Sequence, residues 1–534
     1  MTMSTANGTL AALPRFVDVP AAQAYSYPLL IRHLLANASS SDAVIVSGAH
    51  RLTYQDLADR IARLASLLAA KGVKPGDTVA VMDWDSHRYL ECYFAIPMMG
   101  AVLQTVNVRL SPEQVVFTLR QSEASLLLYN TDFDDLCADL LPALSTIRAT
   151  IRMTDAGGED DYEANLAEAS NQFQFPDFDE NAVATTFHTT GTTGDPKQVF
   201  FTHRQLVLHT LALSSALANQ PDGQGMRRSD VYMPMTPMFH VHAWGMPYVA
   251  TMLGLKQVYP GRYDPRRLLA LRHREGVTLS HCVPTILRML LDANPGEQLS
   301  PWTIIIGGAA LPEGLARDAA EVGIVTVAGY GMSETGPVIA LARSGDSRGG
   351  KGGTTAQLSR AGFPIPLTYA RVDPRNGNEL LLRAPWLTQG YSDPVASDDL
   401  WAGGWLHTGD VASTDAEGAL HIVDRLKDVI KTGGEWVSSV ALEAMLAAQD
   451  EISEAAVIGV PDQKWGERPF AFVVATDNFD PARTSEVLRR EAAEGRLSRY
   501  AIPEHIVRLD AMPRTSVGKV DKKLLRLRAG ARSL

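Results

Sequence analysis

A chain of 534 residues is too long for one ordinary domain, so a large domain with internal subdomains and a smaller partner is the expectation. Its 49 Lys and Arg against 60 Asp and Glu leave a net charge of -11 with no dense basic cluster, which argues against nucleic acid as a partner. Cys92, Cys137 and Cys282 lie far apart without metal-ligand or redox spacing, the N-terminus lacks the basic-then-apolar pattern of a signal peptide, and no apolar run reaches bilayer length; reduced, buried thiols in a soluble cytoplasmic protein are expected.

The first patterned segment, Thr53 to Val73, places apolar residues at helical spacing behind a Thr53 cap. Lys74-Pro75-Gly76-Asp77 turns that helix into the apolar strand TVAVM, Thr78 to Met82. The alternation continues with strands at Ala124 to Asn130, Val231 to Pro237, Thr303 to Leu311 and Ile324 to Gly331, each beside a helical stretch, and predicts mixed α/β layers. Ser344 to Ser359 is too rich in Gly, Ser and Thr to hold a packed core and reads as a mobile loop interrupting the large domain.

A strand is expected over Gly418 to Ile430. Lys431-Thr432-Gly433-Gly434 then breaks the pattern, and a new helix, strand and helix series begins at Ser438. A hinge therefore falls near Asp424 to Asp428. It divides the chain into residues 1–426, mixed sheets layered with helices, and a small mobile α+β domain, residues 427–534. No internal repeat is evident.

The densest chemical signal is TTGTTGDPK, comprising Thr189, Thr190, Gly191, Thr192, Thr193, Gly194, Asp195, Pro196 and Lys197. Hydroxyls, backbone amides uncovered by the glycines and an ammonium can together wrap phosphate oxygens, although such a loop standing alone reads equally well as a flexible polar hairpin. It is not a Walker loop: the glycine spacing differs, and Gln198 stands where Ser or Thr should hold magnesium.

The loop has companions in a fixed order: PMFHVHAWG (Pro237 to Gly245), GGAALP (Gly307 to Pro312), GYGMSET (Gly329 to Thr335), GWLHTGD (Gly404 to Asp410), DRLKDVIKTGGEW (Asp424 to Trp436) and PRTSVGK (Pro513 to Lys519). In this order they resemble the AMP-forming acyl-adenylate ligase superfamily, which includes acyl-CoA synthetases, beetle luciferases and the adenylation domains of peptide synthetases. The resemblance covers nearly the whole chain. It implies ATP, Mg2+ and coenzyme A, with a carboxylic acid activated as acyl-AMP and then passed to the CoA thiol, and a homodimer at the family level.

The same resemblance implies individual roles. Tyr330 would lie against the adenine, with Gly308, Ala309, Gly329 and Gly331 lining the nucleotide. Thr335 would touch the α-phosphate region, and Glu334 with Thr189 would hold Mg2+. Asp410 would accept from both ribose hydroxyls and Arg425 would complete the ribose contact, which suits a carboxylate facing a diol. Taken singly, Tyr330 reads as a core aromatic, Glu334 as a surface charge, Asp410 as a turn residue and Arg425 as the partner of Asp424 or Asp428. Lys519 would be carried by the small domain to the substrate carboxylate and α-phosphate, where a cation stabilises the developing charge.

For the second half-reaction, Lys427 matches the hinge, while Lys431, Gly433, Gly434 and Trp436 would line a pantetheine tunnel. A glycine turn beside a core tryptophan is the plainer reading of that segment. His240 would stand between carboxylate and thiol tunnel, with Val241, Trp244, Val283, Gly308 and Met332 shaping the acyl pocket. The run Phe239 to Ala243 offers no aspartate for an amino-acid ammonium. HAWG and GGEWVSS resemble the fatty acyl-CoA synthetase branch, which implies an aliphatic acid, short or medium, thioether acids included, or longer if Trp244 swings. Two departures from the family pattern stand beside the loop: Gln198 replaces a glycine and His188 a tyrosine. Transfer to an amine or a carrier-protein thiol, or a non-catalytic nucleotide-binding scaffold, are the alternatives.

Overall fold

The computed structural model describes residues 27–154, 161–189, 196–220, 225–342, 360–514 and 520–530. The helix Tyr54–Ala70 begins where expected. Thr53 accepts from the Asp56 amide and Asp56 answers at the Thr53 amide, so two otherwise orphaned donors are met, and Leu57, Ile61, Leu64 and Leu68 turn into the core. The strand Thr78–Met82 lies inside a six-stranded sheet ordered Ala149–Met153, Ala124–Asn130, Thr78–Met82, Val102–Thr105, Val183–Thr189, Lys197–Thr202. It is parallel to both neighbours, and its central residues are buried, which is why it reads as an unbroken apolar run.

The last two strands of that sheet form an antiparallel hairpin with Thr189 opposite Lys197 and His188 opposite Gln198. The helix His203–Ala218 follows at once, capped reciprocally by Thr202 and Gln205.

A second, larger sheet of 14 strands joins a parallel half to an antiparallel half. In the parallel half Val231–Pro234, Leu279–Cys282, Trp302–Ile306 and Ile324–Gly331 are adjacent, so their carboxyl ends open on one side of the sheet. Ligands of open α/β sheets bind at such ends. The antiparallel half includes Trp405–Thr414 and Leu420–Arg425, whose register sets Asp410 directly opposite Arg425.

A third, five-stranded sheet begins with Ile430–Thr432 and contains the long hairpin Ile452–Asp462 with Gly466–Ala475. The strand expected over Gly418 to Ile430 is thus shorter. It ends at Arg425, where the Leu426 amide bonds the Gly409 carbonyl and the chain leaves one sheet for the next. Strands expected to run to Pro237 and Leu311 stop at Pro234 and Ile306, and the residues beyond them are freed as loops at the sheet edge. All three cysteines are free and buried. The loop expected at Ser344 to Ser359 lies outside the described residues. Among the described residues no helix is long and apolar enough to cross a membrane.

Thr202 caps the helix that follows the Thr189–Lys197 hairpin, so Thr202→Ala should cost about 1 kcal/mol of stability, read as a lower denaturation midpoint.

Candidate active site

Tyr330, at the end of the last parallel strand, donates its hydroxyl to Asp410 Oδ2 at 2.6 Å, and Arg425 Nε reaches Asp410 Oδ1 at 2.9 Å. Asp410 is almost wholly buried, so its charge needs these donors. Burial and the adjacent carboxylate push the Tyr330 phenol well above its ordinary range, keeping it a donor, while Asp410 raises the Arg425 guanidinium further. Arg425 therefore pairs with Asp410, not with Asp424 or Asp428. Asp424 instead binds the amide and hydroxyl of Ser439, and Asp428 pairs with Arg526 at 2.6 Å.

The turn after Tyr330 buries Glu334, whose Oε1 accepts from the Tyr391 hydroxyl at 2.6 Å. The Lys197 ammonium lies 4.8 Å from the Tyr391 ring centroid, within cation–π range. The chain around Tyr391 is a strap: Thr388 N bonds the Glu334 carbonyl, Tyr391 bridges Val199, and Ser392 N bonds the Gln198 carbonyl. Glu334 and the Lys197 end of that hairpin are thereby held together. Thr335 is turned inward and fully buried, with its hydroxyl bonded to the Met332 and Pro337 carbonyls, so it braces the turn.

Both departures beside the loop are accommodated. The buried Gln198 amide donates to the Thr186 hydroxyl at 3.1 Å across the hairpin, and His188 Nε2 lies 3.0 Å from Gln121 Oε1. Burial lowers His188 to about 4, so its ring is neutral near pH 7 and Nε2 carries the proton given to Gln121.

His240 precedes a turn in which Val241, His242, Ala243 and Trp244 all have φ between 46 and 59°. Four consecutive left-handed non-glycine residues cost about 1 kcal/mol or more each, so the surroundings must hold them. The His242 ring is wholly buried among Tyr93, Phe187 and Phe201, and burial lowers it to about 3. Trp244 tilts against His281, with ring centroids 5.0 Å apart, and a Cβ on Gly307 would lie 3.0 Å from the indole. Gly308, Ala309, Val283 and Met332 stand on the neighbouring strand ends.

Residues 35–392 match the family described as AMP-binding enzyme, and residues 441–519 match the AMP-binding enzyme C-terminal domain. The chain belongs to the AMP-binding enzyme family. A long-chain-fatty-acid--CoA ligase of Thermus thermophilus is 38% identical over 89% of this chain and 90% of its own. A 3-methylmercaptopropionyl-CoA ligase of Ruegeria lacuscaerulensis is 34% identical over 94% of this chain and 98% of its own. The fold matches an anthranilate CoA ligase in complex with anthranoyl-AMP, with TM-score 0.83 and 23% identity over 95% of this chain and 99% of that one.

The fold of this AMP-binding enzyme brings Tyr330, Asp410 and Arg425 into one cluster, and Glu334 and Lys197 into a second joined by Tyr391. Trp436 and the glycine turn pack against neighbours of their own. Trp436 is half exposed and covers Gly377, where a Cβ would meet its indole, and Gly433 lies against Trp465 and Tyr500. The Lys431 ammonium sits over the Trp436 ring at 5.3 Å. Thr190 to Gly194 and Lys519 lie outside the described residues. Flanking Lys519, Arg514 pairs with Val520, and the Arg514 guanidinium reaches the Thr285 hydroxyl at 3.5 Å, two residues beyond Val283. Exposed Lys427 has its ammonium lowered by partial burial, with Asp428 opposing that shift.

Tyr391 and Asp85 escaped the sequence reading, because neither carries a periodic or spacing signal. Asp85 is fully buried. Its Oδ1 accepts from the Met238 amide at 2.8 Å and its Oδ2 from the Tyr263 hydroxyl at 2.5 Å. Burial raises its carboxyl to about 7, the nearby Asp83 adding to that shift while the Tyr263 and Met238 hydrogen bonds and Arg109 oppose it. The buried phenols of Tyr89, Tyr232 and Tyr259 also face it, and their own pKa values stay far above neutrality. The folded chain therefore holds this proton more tightly than the unfolded one. The corresponding stability is present below the ordinary value of 3.8 and is lost as pH rises through about 7. Asp85→Asn removes the titration, so its melting temperature relative to wild type should rise between about pH 5 and about pH 8.

Proposed function

We propose that this AMP-binding enzyme activates an aliphatic carboxylic acid with ATP, releasing pyrophosphate, and transfers the acyl group to coenzyme A with release of AMP. The observation that carries the reading is the pairing, at the strand ends, of the Tyr330–Asp410–Arg425 cluster with the Glu334–Tyr391–Lys197 group beside the Thr-rich loop. Asp410 retains acceptor capacity for a ribose diol beyond its two present donors, and the Tyr330 ring offers a face for adenine.

Glu334 fits a shared metal site. Tyr391 takes one carboxylate oxygen, and no group of three or more His, Cys, Asp or Glu able to hold a metal occurs among the described residues. A hard cation bound by one protein carboxylate and completed by phosphate oxygens matches that donor set. Glu334, with Thr189, would hold Mg2+, which supplies charge neutralisation at the phosphates when bound.

In the first half-reaction an oxygen of the substrate carboxylate attacks the α-phosphorus and the bond to pyrophosphate breaks. Lys197 and the threonine loop hold the polyphosphate, and Lys519 stabilises charge at the reacting oxygens. In the second, the CoA thiolate attacks the acyl carbon beside His240 and AMP leaves. Residues 427–534 form a lid that pivots at Lys427. The exposure of Lys427 at the change of sheet supports this, as does the packing of Trp436 over Gly377 and of Gly433 against Trp465 and Tyr500. A cytoplasmic location and a homodimer belong to the same reading through the family resemblance.

The relatives named above act on long-chain fatty acids and 3-methylmercaptopropionate by name. Trp244, wedged between Gly307 and His281, favours short and medium acids, thioethers included. Mass spectrometry of products from straight-chain and thioether acids with ATP, Mg2+ and CoA should find AMP with an acyl-CoA. Acyl-AMP without thioester would point to another acceptor, and ADP would reject the assignment. Lys519→Ala should abolish adenylate formation yet leave thioester formation from supplied acyl-AMP largely intact; equal loss of both halves refutes that division. Trp244→Ala should shift the preferred acid toward longer chains by about 10-fold or more in relative kcat/KM, the discrimination scale of a methylene or two in an apolar pocket.

A further inference from the structure

The left-handed turn from Val241 to Trp244 has no glycine to relieve it before Gly245, so its conformation must be imposed by its surroundings, which include the aromatic rings around His242 and the bonds that grip the chain on its N-terminal side. That grip is concentrated on two residues. The Met238 amide donates to Asp85 Oδ1 at 2.8 Å, the Met238 carbonyl accepts from the Tyr93 hydroxyl, and the Phe239 carbonyl accepts from the Thr105 hydroxyl at 3.0 Å. All of these groups are buried. Tyr93 sits in the helix His87–Met98 and Thr105 in a strand of the six-stranded sheet, both secured by their own backbone bonds.

Asp85 differs from them. It stands in the bend before that helix and is held from the other side: its carbonyl accepts from the Gly261 amide at 2.8 Å and its Oδ2 from the Tyr263 hydroxyl. It is the joint between the first sheet and the loop that carries His240 and Trp244.

We infer that Asp85 is a positioning residue for acid selection: by holding the Met238 amide it helps to maintain the left-handed turn, and so keeps the Trp244 indole against Gly307, where the reading above places the acyl chain. The inference rests on the acid-activating reading above. Asp85 touches no reacting atom. Its effect runs through the backbone, and the nucleotide cluster around Asp410 draws on other strands, so the acid side and the ATP side should respond differently.

Three full-length variants test this: Asp85→Ala, the isosteric Asp85→Asn, whose amide oxygen still accepts from Met238, and Tyr263→Phe, which loosens Asp85 without removing it. Two readouts are taken on folded protein: amide hydrogen exchange across residues 238–244, which needs no turnover, and acid-dependent pyrophosphate exchange with butyrate and octanoate. Asp85→Ala should speed exchange in that segment and raise the octanoate-to-butyrate ratio of kcat/KM by about 10-fold, with the KM for ATP unchanged. Tyr263→Phe should move both readouts the same way by less, and Asp85→Asn should match wild type.

Faster amide exchange with an unchanged acid ratio would overturn the inference, as would a matching rise in the KM for ATP or a loss in Asp85→Asn equal to that in Asp85→Ala. Should Asp85→Ala fail to fold, Tyr263→Phe decides by the same criteria. Wild-type protein without acid-dependent exchange would sink the ligase reading itself, and acid selection with it, whatever the amide exchange shows.

Discussion

A carboxylate taken out of water must be met by donors, and Asp410 is where that requirement organises the site. Its two oxygens are met from different parts of the large sheet: Tyr330 ends the last parallel strand, and Arg425 sits opposite Asp410 in the antiparallel half. The carboxylate thus stitches the two halves at the edge where the parallel strands open. One residue after Arg425 the chain leaves this sheet for the five-stranded one, so the same contact lies beside the change of sheet.

A second tie runs at right angles to the first in logic, joining one sheet to another. The strap from Thr388 to Ser392 binds the Glu334 turn of the large sheet to the edge strand of the six-stranded sheet, through backbone bonds to Gln198 and Val199 and the Tyr391 hydroxyl. An edge strand offers unpaired backbone groups, and covering it here serves placement as much as protection. Ser392 also accepts from Gln121, whose other end meets His188, so the residues flanking the Thr-rich loop are braced on both strands.

The His240 loop uses strain where the Asp410 cluster uses charge. The left-handed turn after His240 is held by buried bonds from Asp85, Tyr93 and Thr105 and by the aromatic box around His242. On the small domain, Arg526 grips Asp428, and Lys522 binds Ser439 and Glu443. Beyond Arg425 the chain is therefore firmly held within the five-stranded unit, and Trp436 over Gly377 adds a contact back to the large sheet.

Local order was legible in the amino-acid sequence wherever the signal is short-range. The Thr53 cap, the buried strand Thr78–Met82, the strands Ala124–Asn130 and Ile324–Gly331, and the ordered motifs follow from periodicity, capping and spacing within a few residues. The strand ends beyond Pro234 and Ile306 did not, because an apolar run continues past the point where pairing partners run out. Only the tertiary structure decided that Arg425 pairs with Asp410 across a strand register, that Thr335 faces inward, that Tyr391 serves Glu334, and that Asp85 holds a backbone amide 153 residues away. Except for Thr335, whose partners are near neighbours, each joins groups distant in the chain, where no period or spacing links the partners. The sequence by itself determined which chemistry is present and in what order; burial and long-range hydrogen bonding decided which groups meet, because a buried polar atom takes whatever partner the packed sheets bring to it.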